Sequence, residues 1–278
     1  MYTLKFRGLT VSYEIWGSGE PIILLHSGGS SSAQWEKSAA ALAPAYELIA
    51  PDLFGFGNTD AWPERGGLTH DLQAVLVAAV LHTLGKAQTH VVGHSYGGGT
   101  AMRLIVRHPG LVRSLCLFEP ILPALLEEAK DPLSEAAMEI GRTFVKSVDE
   151  GVPERGWEAF IDSRNGPGTW ARMSERSRSR FVAQSQQTRE GFISNWNNTT
   201  TLAECRAVQV PTTVACSESA IPVDRRLTEL LHEAIAASRS ISIPQAGHMA
   251  PLTHPEAVAD IIGQHVAWAI NNVDPTHG

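Results

Sequence analysis

The sequence predicts an α/β protein in which a mostly parallel sheet is covered by helices on both faces. Short, nearly all-apolar runs recur along the chain, and such runs are typical of strands buried on both sides. Between them lie stretches whose apolar residues recur at helical spacing. This alternation predicts a doubly wound fold, which binds its ligands beyond the carboxyl ends of the strands.

The predicted strands begin with a hairpin, because two apolar segments at residues 4–6 and 9–13 flank a turn at Arg7 and Gly8. Further strands are predicted from the apolar runs at residues 22–25, 48–50, 90–92, 115–118, 210–216 and 240–243. The clearest helical patterns outside the middle of the chain cover residues 72–83 and 227–235.

The alternation stops between residues 120 and 206. A helical stripe of apolar residues covers 133–148, and shorter helical patterns follow at 157–161 and 178–187. Because this segment has no strand pattern, we predict that it is an inserted helical cap. The predicted division is therefore a core domain of residues 1–119 and 207–278, and a cap of residues 120–206.

Composition disfavours several classes of function. Of the 278 residues, 43% are hydrophobic and 18% are charged, which is typical of a globular protein and not of a disordered one. The formal net charge of -7 disfavours nucleic acid as a partner, because such binding needs a basic surface. No window approaches the roughly 20 apolar residues of a membrane span, and the amino terminus lacks a signal-peptide pattern. We therefore expect a cytoplasmic protein without a membrane partner, whose three cysteines are reduced and buried.

Ser95 lies in the pattern Gly-His-Ser-Tyr-Gly at residues 93–97, after a predicted strand and before a helical pattern. A sharp strand-to-helix turn lifts a serine hydroxyl clear of the sheet, and flanking glycines let the backbone cross at close quarters. This pattern is typical of a nucleophile elbow. Because a serine hydroxyl is too weakly acidic to attack a carbonyl unaided, it requires a base, an orienting acid and oxyanion donors elsewhere in the chain.

The candidate base is His248, in Gly-His-Met-Ala-Pro at residues 247–251, between a predicted strand and the final helix. Its late position agrees with a serine, acid, histidine order along the chain. Upstream, the strand at residues 22–25 leads into His-Ser-Gly-Gly at 26–29, a turn whose free backbone N–H groups are candidate oxyanion donors.

These motifs resemble those of the α/β-hydrolase superfamily, in its serine-hydrolase branch. The resemblance covers roughly residues 1–119 and 207–270, and it includes Pro-Asp-Leu-Phe-Gly-Phe-Gly at 51–57, which is similar to the family's loop after its fourth strand. It implies an eight-stranded sheet with the cap inserted after the sixth strand. It also implies an oxyanion hole formed by the N–H groups of Tyr96 and Gly28, and no cofactor. The spacing of His, Asp and Glu does not suggest a metal site.

One part of the family's pattern is absent. After its seventh strand the family usually carries Gly-x-x-Asp, and here Ser-Glu-Ser-Ala occupies residues 217–220. We predict that Glu119, at the end of the sixth strand of that sheet, supplies the acid, because neighbouring strands lie about 4.8 Å apart and glutamate reaches further than aspartate. Asp224 and Glu218 remain alternatives, with Asp224 also interpreted as a helix cap. Glu119 has an alternative role as a structural hydrogen-bonding group.

The resemblance implies a cofactor-independent serine hydrolase, and we expect a carboxylesterase for small or medium acyl esters that uses Ser95, His248 and Glu119. Three other activities share such a site: hydrolysis of carbon–carbon bonds in ring-cleavage products, lactone opening and perhydrolysis. A different class is a ligand-binding pseudo-hydrolase or receptor, because the usual acid is missing. The expected partner is a small apolar ester. Candidate pocket residues are Ser27, Trp157, Trp170 and Trp196, of which one or two tryptophans would wall an apolar pocket; packing of the cap against the sheet is the favoured role for each tryptophan.

Seven other histidines are assigned structural roles. His26 and His94 are expected to bond backbone near the site, as in the superfamily. Five others are expected at the surface or on helices: His70, His82, His108, His232 and His265.

Overall fold

A computed structural model describes residues 1–272, and its strands form an eight-stranded sheet. The strands are β1 (Tyr2–Phe6), β2 (Leu9–Gly17), β3 (Glu20–Leu25), β4 (Tyr46–Pro51), β5 (Thr89–His94), β6 (Val112–Phe118), β7 (Thr212–Ser217) and β8 (Ser238–Ile243). Their order in the sheet is β1-β2-β4-β3-β5-β6-β7-β8. β2 is antiparallel to β1 and to β4, and the other pairs are parallel. The predicted fold class is confirmed.

Helices cover both faces of this sheet. The helices outside the middle segment are α1 (Glu36–Leu42), α2 (His70–Thr83), α3 (Tyr96–Arg107), α11 (Pro222–Ala234), α12 (Ala250–Thr253) and α13 (Pro255–Asn272). Apolar side chains of α2, α3 and α11 share one buried cluster, and those of α1 and α13 share another. Because both faces are covered, every residue of β5 and β7 is buried, including the apolar residues Val91, Val92, Val214 and Ala215.

The segment between β6 and β7 is helical throughout its regular structure. It contains α4 (Pro123–Glu128), α5 (Ser134–Asp149), α6 (Pro153–Asn165), α7 (Thr169–Arg172), α8 (Glu175–Ala183), α9 (Ser185–Trp196) and α10 (Leu202–Arg206). A third apolar cluster lies within it, built around Phe144, Trp157 and Trp170. The segment therefore has a small core of its own, while its description as a separate cap domain of residues 120–206 stays a prediction.

Two of the histidines assigned to the surface or to helices are in fact buried core residues. His70 is 1% exposed and bonds Thr100 and Asn195, and His265 is fully buried on α13. A histidine on a helix is indistinguishable in sequence from an exposed one until its polar partners are known. All three cysteines are buried and unpaired. Across residues 1–272, the helices fall short of the length and apolarity needed to cross a membrane.

Candidate active site

Ser95 lies at the junction of β5 and α3, in a turn whose backbone is held by its neighbours. Its φ is 55°, a left-handed value that is uncommon for a residue other than glycine. The Ser95 N–H donates to the carbonyl of Phe118 on the adjacent strand at 2.9 Å. A β-carbon at Gly93 would lie only 2.6 Å from the Gly97 carbonyl oxygen, so the turn requires glycine there.

His248 reaches Ser95 from the loop after β8. Its Nε2 lies 3.0 Å from the Ser95 Oγ, which places the hydroxyl in position to donate to the ring. His94, at the end of β5, anchors this loop, because its Nε2 donates to the His248 carbonyl at 2.7 Å. Both side chains are buried, with His248 5% and Ser95 7% exposed.

Glu119 follows directly after β6 and completes the line of hydrogen bonds. His248 Nδ1 donates to Glu119 Oε2 at 2.7 Å, and the Ser217 N–H donates to Oε1 at 2.8 Å. Burial would raise the pKa of Glu119, but the hydrogen bonds from His248 and Ser217 outweigh burial and lower that pKa to about 2. The side chain is therefore a carboxylate at neutral pH, bonded at both oxygens.

Asp224 lies next to the same histidine, which the helix-cap interpretation did not anticipate. It is fully buried in the first turn of α11, and its Oδ2 lies 3.2 Å from His248 Nδ1. Its side chain forms an ion pair with Arg164 instead of capping the helix. The third alternative, Glu218, accepts from the Gln245 N–H at 2.7 Å, and within residues 1–272 it forms no hydrogen bond or ion pair with His248.

Arg164 was not identified from sequence. It extends from α6 into the site, with a side chain only 7% exposed. Burial lowers the pKa of Arg164 to about 10, so the guanidinium remains charged at neutral pH. Burial also lowers the pKa of His248, Arg164 acts in the same direction, and the hydrogen bond with Glu119 opposes both. The sequence carries no signal for this role, since Arg164 is one of several arginines in the segment.

Glu119, Asp224 and His248 are close enough together to be compared with a set of metal ligands. One atom each of Glu119, Asp224 and His248 lie within 4.8 Å of one another. A metal ion there would have to displace the Nδ1 proton and lie beside the Arg164 guanidinium. Because that guanidinium already offsets the Asp224 carboxylate, the arrangement fits an ion-pair network better than a metal centre.

The predicted oxyanion donors lie together in front of Ser95. Tyr96 is the first residue of α3, where backbone N–H groups lack a partner within the helix. Gly28 adjoins it, since a β-carbon at Gly28 would lie 3.7 Å from the Tyr96 Cβ. The turn is fixed by Gln34, whose Oε1 accepts from the Ser27 hydroxyl at 2.7 Å and from the Ser27 N–H at 3.1 Å.

A cavity of about 730 Å³ opens over this site and extends beneath the inserted helices. It is lined by Ser27, Gly28, Ser95 and His248 on the sheet side, and by Trp157 of α6. Within residues 1–272, Trp170 and Trp196 are not among the residues that line this cavity. Trp170 packs against Phe181 inside the helical cluster, and Trp196 packs against Gly141 of α5. Only tertiary packing distinguishes these three tryptophans.

Comparison with known proteins identifies the family. A family model described as the alpha/beta hydrolase fold matches residues 20–255. The 2-hydroxy-6-oxo-6-(2'-aminophenyl)hexa-2,4-dienoic acid hydrolase of Metapseudomonas resinovorans is 30% identical over 269 residues, which cover 91% of this chain and 86% of that protein. The 2-hydroxymuconate semialdehyde hydrolase of Pseudomonas sp. strain CF600 is 28% identical over 279 residues, which cover 94% of this chain and 92% of that protein.

Two further similarities bear on coverage and fold. An uncharacterized protein of Mycobacterium tuberculosis is 37% identical over 118 residues, and this chain spans about a third of its length, with 41% of this chain and 34% of that protein covered. The solved structure of a thermophilic esterase from Thermogutta terrifontis aligns with a TM-score of 0.78 at 21% identity, over 96% of this chain and 97% of that one. The family match spans most of the chain, and we conclude that the protein belongs to the alpha/beta hydrolase fold family.

Proposed function

We propose that this hydrolase is a cofactor-independent carboxylesterase for small or medium acyl esters, with Ser95 as nucleophile, His248 as base and Glu119 as orienting acid. The observation that carries the proposal is the line of hydrogen bonds from Ser95 Oγ through His248 to Glu119, 3.0 Å and 2.7 Å long. Membership of a hydrolase family supports it independently.

The chemistry follows from these positions. His248 Nε2 takes the Ser95 proton as Oγ attacks the ester carbonyl, and Glu119 stabilises the imidazolium that forms. The N–H groups of Tyr96 and Gly28 bind the oxyanion. As the tetrahedral intermediate collapses, His248 donates the proton to the departing alcohol. The acyl group remains bonded to Ser95 Oγ. Water then loses a proton to His248 and attacks the acyl-enzyme, and His248 returns that proton to Ser95 Oγ as the carboxylic acid is released.

The cavity supports the choice of substrate size. Its volume of about 730 Å³ lies within the range of roughly 300–1,000 Å³ that small-molecule pockets occupy. Its walls include the apolar side chains of Trp157, Phe160, Phe181 and Phe192, which favour an apolar acyl or alcohol group. A cavity of this size with these walls favours an ester with moderate apolar bulk.

Hydrolysis of a carbon–carbon bond in a ring-cleavage product is the second candidate. Two relatives that match over most of this chain are named as hydrolases of such compounds. Arg180 and Asn165 also line the cavity, and they offer donors to a substrate that carries a carboxylate. Both reactions would use the same Ser95 and His248, so a substrate panel is needed to distinguish them.

Replacing Ser95 tests the assignment of the nucleophile. Ser95→Ala should lower turnover of p-nitrophenyl esters by on the order of 10⁴- to 10⁶-fold and abolish labelling by a fluorophosphonate probe, because both reactions need the hydroxyl. Circular dichroism should show an intact fold. More than a tenth of wild-type turnover in this variant would exclude Ser95 as nucleophile. A wild-type protein that is neither labelled nor active would favour a pseudo-hydrolase.

The substrate class is tested with the wild-type protein on a matched panel. We expect kcat/KM to be highest for a p-nitrophenyl ester of a short or medium acyl chain, compared with lactones and ring-cleavage products. A higher value for a ring-cleavage product would reassign the enzyme to the second candidate while leaving the roles of Ser95 and His248 intact.

A further inference from the structure

His248 has one Nδ1 proton and two carboxylates within reach of it. Glu119 Oε2 lies 2.7 Å away and Asp224 Oδ2 lies 3.2 Å away. Both acids are almost completely buried, at 2% and 0% exposure. A triad needs one acceptor at this position, so the second carboxylate places additional negative charge beside the base.

Arg164 lies on the other side of Asp224. Its guanidinium pairs with the same Oδ2 that approaches His248. The two residues come from distant parts of the chain, since Arg164 belongs to α6 of the inserted segment and Asp224 to α11 of the sheet layer. The pair is therefore a buried contact between the inserted helices and α11, and it lies beside His248.

Within residues 1–272, His94 is a further ionisable group that faces His248. Its ring centroid lies 5.1 Å from that of His248, and burial lowers the pKa of His94 to about 3. His94 is therefore neutral over the range in which an esterase works. The charges around His248 are then two carboxylates, Glu119 and Asp224, and one guanidinium, Arg164.

We propose that Arg164 and Asp224 act as a positioning pair for His248, in which Arg164 offsets the Asp224 charge and so keeps the imidazole neutral before Ser95 is deprotonated. This inference rests on the proposed function, because it assigns His248 the role of base. Arg164 and Asp224 both act through the histidine.

The need for such a pair follows from the chemistry of a general base. A nearby carboxylate favours the imidazolium, and an imidazolium cannot accept the Ser95 proton. With Arg164 present, the Asp224 charge is compensated and Glu119 alone supplies the stabilisation that the transition state requires. Without Arg164, the carboxylates of Glu119 and Asp224 would favour the imidazolium form of His248 in the resting enzyme. Without the Asp224 charge, the Arg164 guanidinium would disfavour that imidazolium.

These opposite effects define the experiment. The rate of fluorophosphonate labelling and kcat/KM for p-nitrophenyl butyrate are measured from pH 4 to pH 9 for wild type, Arg164→Gln, Asp224→Asn and the double variant. We expect the acid limb of both profiles to move to higher pH by about one unit in Arg164→Gln, and to lower pH in Asp224→Asn. The acid limb of the double variant should lie near that of wild type, because the positive and the negative charge are both removed.

Two further variants separate charge from packing. Arg155→Gln makes the same chemical change at an exposed position of α6, and it should leave the acid limb in place. Arg164→Lys keeps the positive charge and should hold the limb close to wild type even where labelling is slower. A structural role alone would change folding or the plateau rate without moving the limb.

An unmoved limb in a folded Arg164→Gln variant, or movement of the two single variants in the same direction, overturns the inference and leaves the proposed function standing. Failure of the proposed function is recognised separately, because wild type itself would then show no labelling. If Arg164→Gln does not fold, the downward movement in Asp224→Asn decides: its presence supports the inference, and its absence overturns it.

Discussion

At the scale of single residues, the proposed triad uses Glu119 in place of the acid that the family usually carries after its seventh strand. The residue at the usual position, Ala220, carries no carboxylate. Glu119 lies at the end of β6, next to β5 and its serine, and its φ of 41° places it in an uncommon backbone conformation. A hydrogen bond from the Ser217 N–H then fixes the carboxylate towards His248. In the proposed triad the acid comes from β6 instead of the loop after β7. The extra methylene of Glu119 and the hydrogen bond from the Ser217 N–H compensate for that change of position.

Neutralising Glu119 tests this assignment. Glu119→Gln should lower kcat by roughly 10³- to 10⁴-fold, because the amide no longer stabilises the imidazolium or selects the right tautomer. Asp224→Asn, measured on the same ester at pH 8, should keep nearly full turnover. The reverse pattern, with Asp224→Asn inactive and Glu119→Gln active, would show that Asp224 is the triad acid.

At the scale of elements, α6 presents one face to the cavity. Trp157, Phe160, Ile161 and Arg164 all line it, and their spacing of three or four residues places them along one side of the helix. Trp157 is held at the cavity wall by its indole N–H, which donates to Ser185 Oγ at 3.0 Å. A single helix therefore supplies both an apolar wall and the cation of the Asp224 pair.

Shortening Trp157 should change which acyl chain is preferred. In Trp157→Leu the cavity gains room beside Gly29, so we expect kcat/KM to rise for longer acyl chains relative to acetate. The matched control is Trp170→Leu, which removes the same side chain from the same cluster away from the cavity. Both variants should lose stability, by about 2–5 kcal/mol. An unchanged ranking in folded Trp157→Leu would limit Trp157 to packing.

At the scale of the whole molecule, buried histidines join the sheet to the helix α13 that packs on it. His90 of β5 and His265 of α13 both bond Ser114 Oγ of β6, at 2.6 Å and 2.7 Å, and His265 Nδ1 bonds Thr213 of β7 at 2.8 Å. This network ties the last helix to three neighbouring strands. Burial lowers the pKa of His90 to about 4 and that of His265 to about 3.

These low pKa values predict acid sensitivity. Below pH 6.5 the unfolded chain binds protons that the folded protein excludes, so stability is fully present above pH 6.5 and is lost as the pH falls towards 3–4. We expect the free energy of unfolding in urea to fall between pH 7 and pH 5, approaching about 1.4 kcal/mol per pH unit for each such histidine. His265→Gln should be less stable at pH 7 and show a shallower decline. A flat profile in wild type would contradict this account.

The sequence by itself determined the fold class, the positions of Ser95 and His248, and the vacancy at Ala220, because each depends on local patterns: apolar runs, glycine spacing and chain order. It also directed attention to Glu119, through the distance between neighbouring strands. Only the tertiary structure decided that Arg164 pairs with Asp224, that Trp157 alone among the three candidate tryptophans lines the cavity, and that His265 is a core residue. These features arise where segments far apart in the chain meet, and an arginine, tryptophan or histidine on a helix has the same local sequence whether it faces water, a neighbouring helix or a catalytic base.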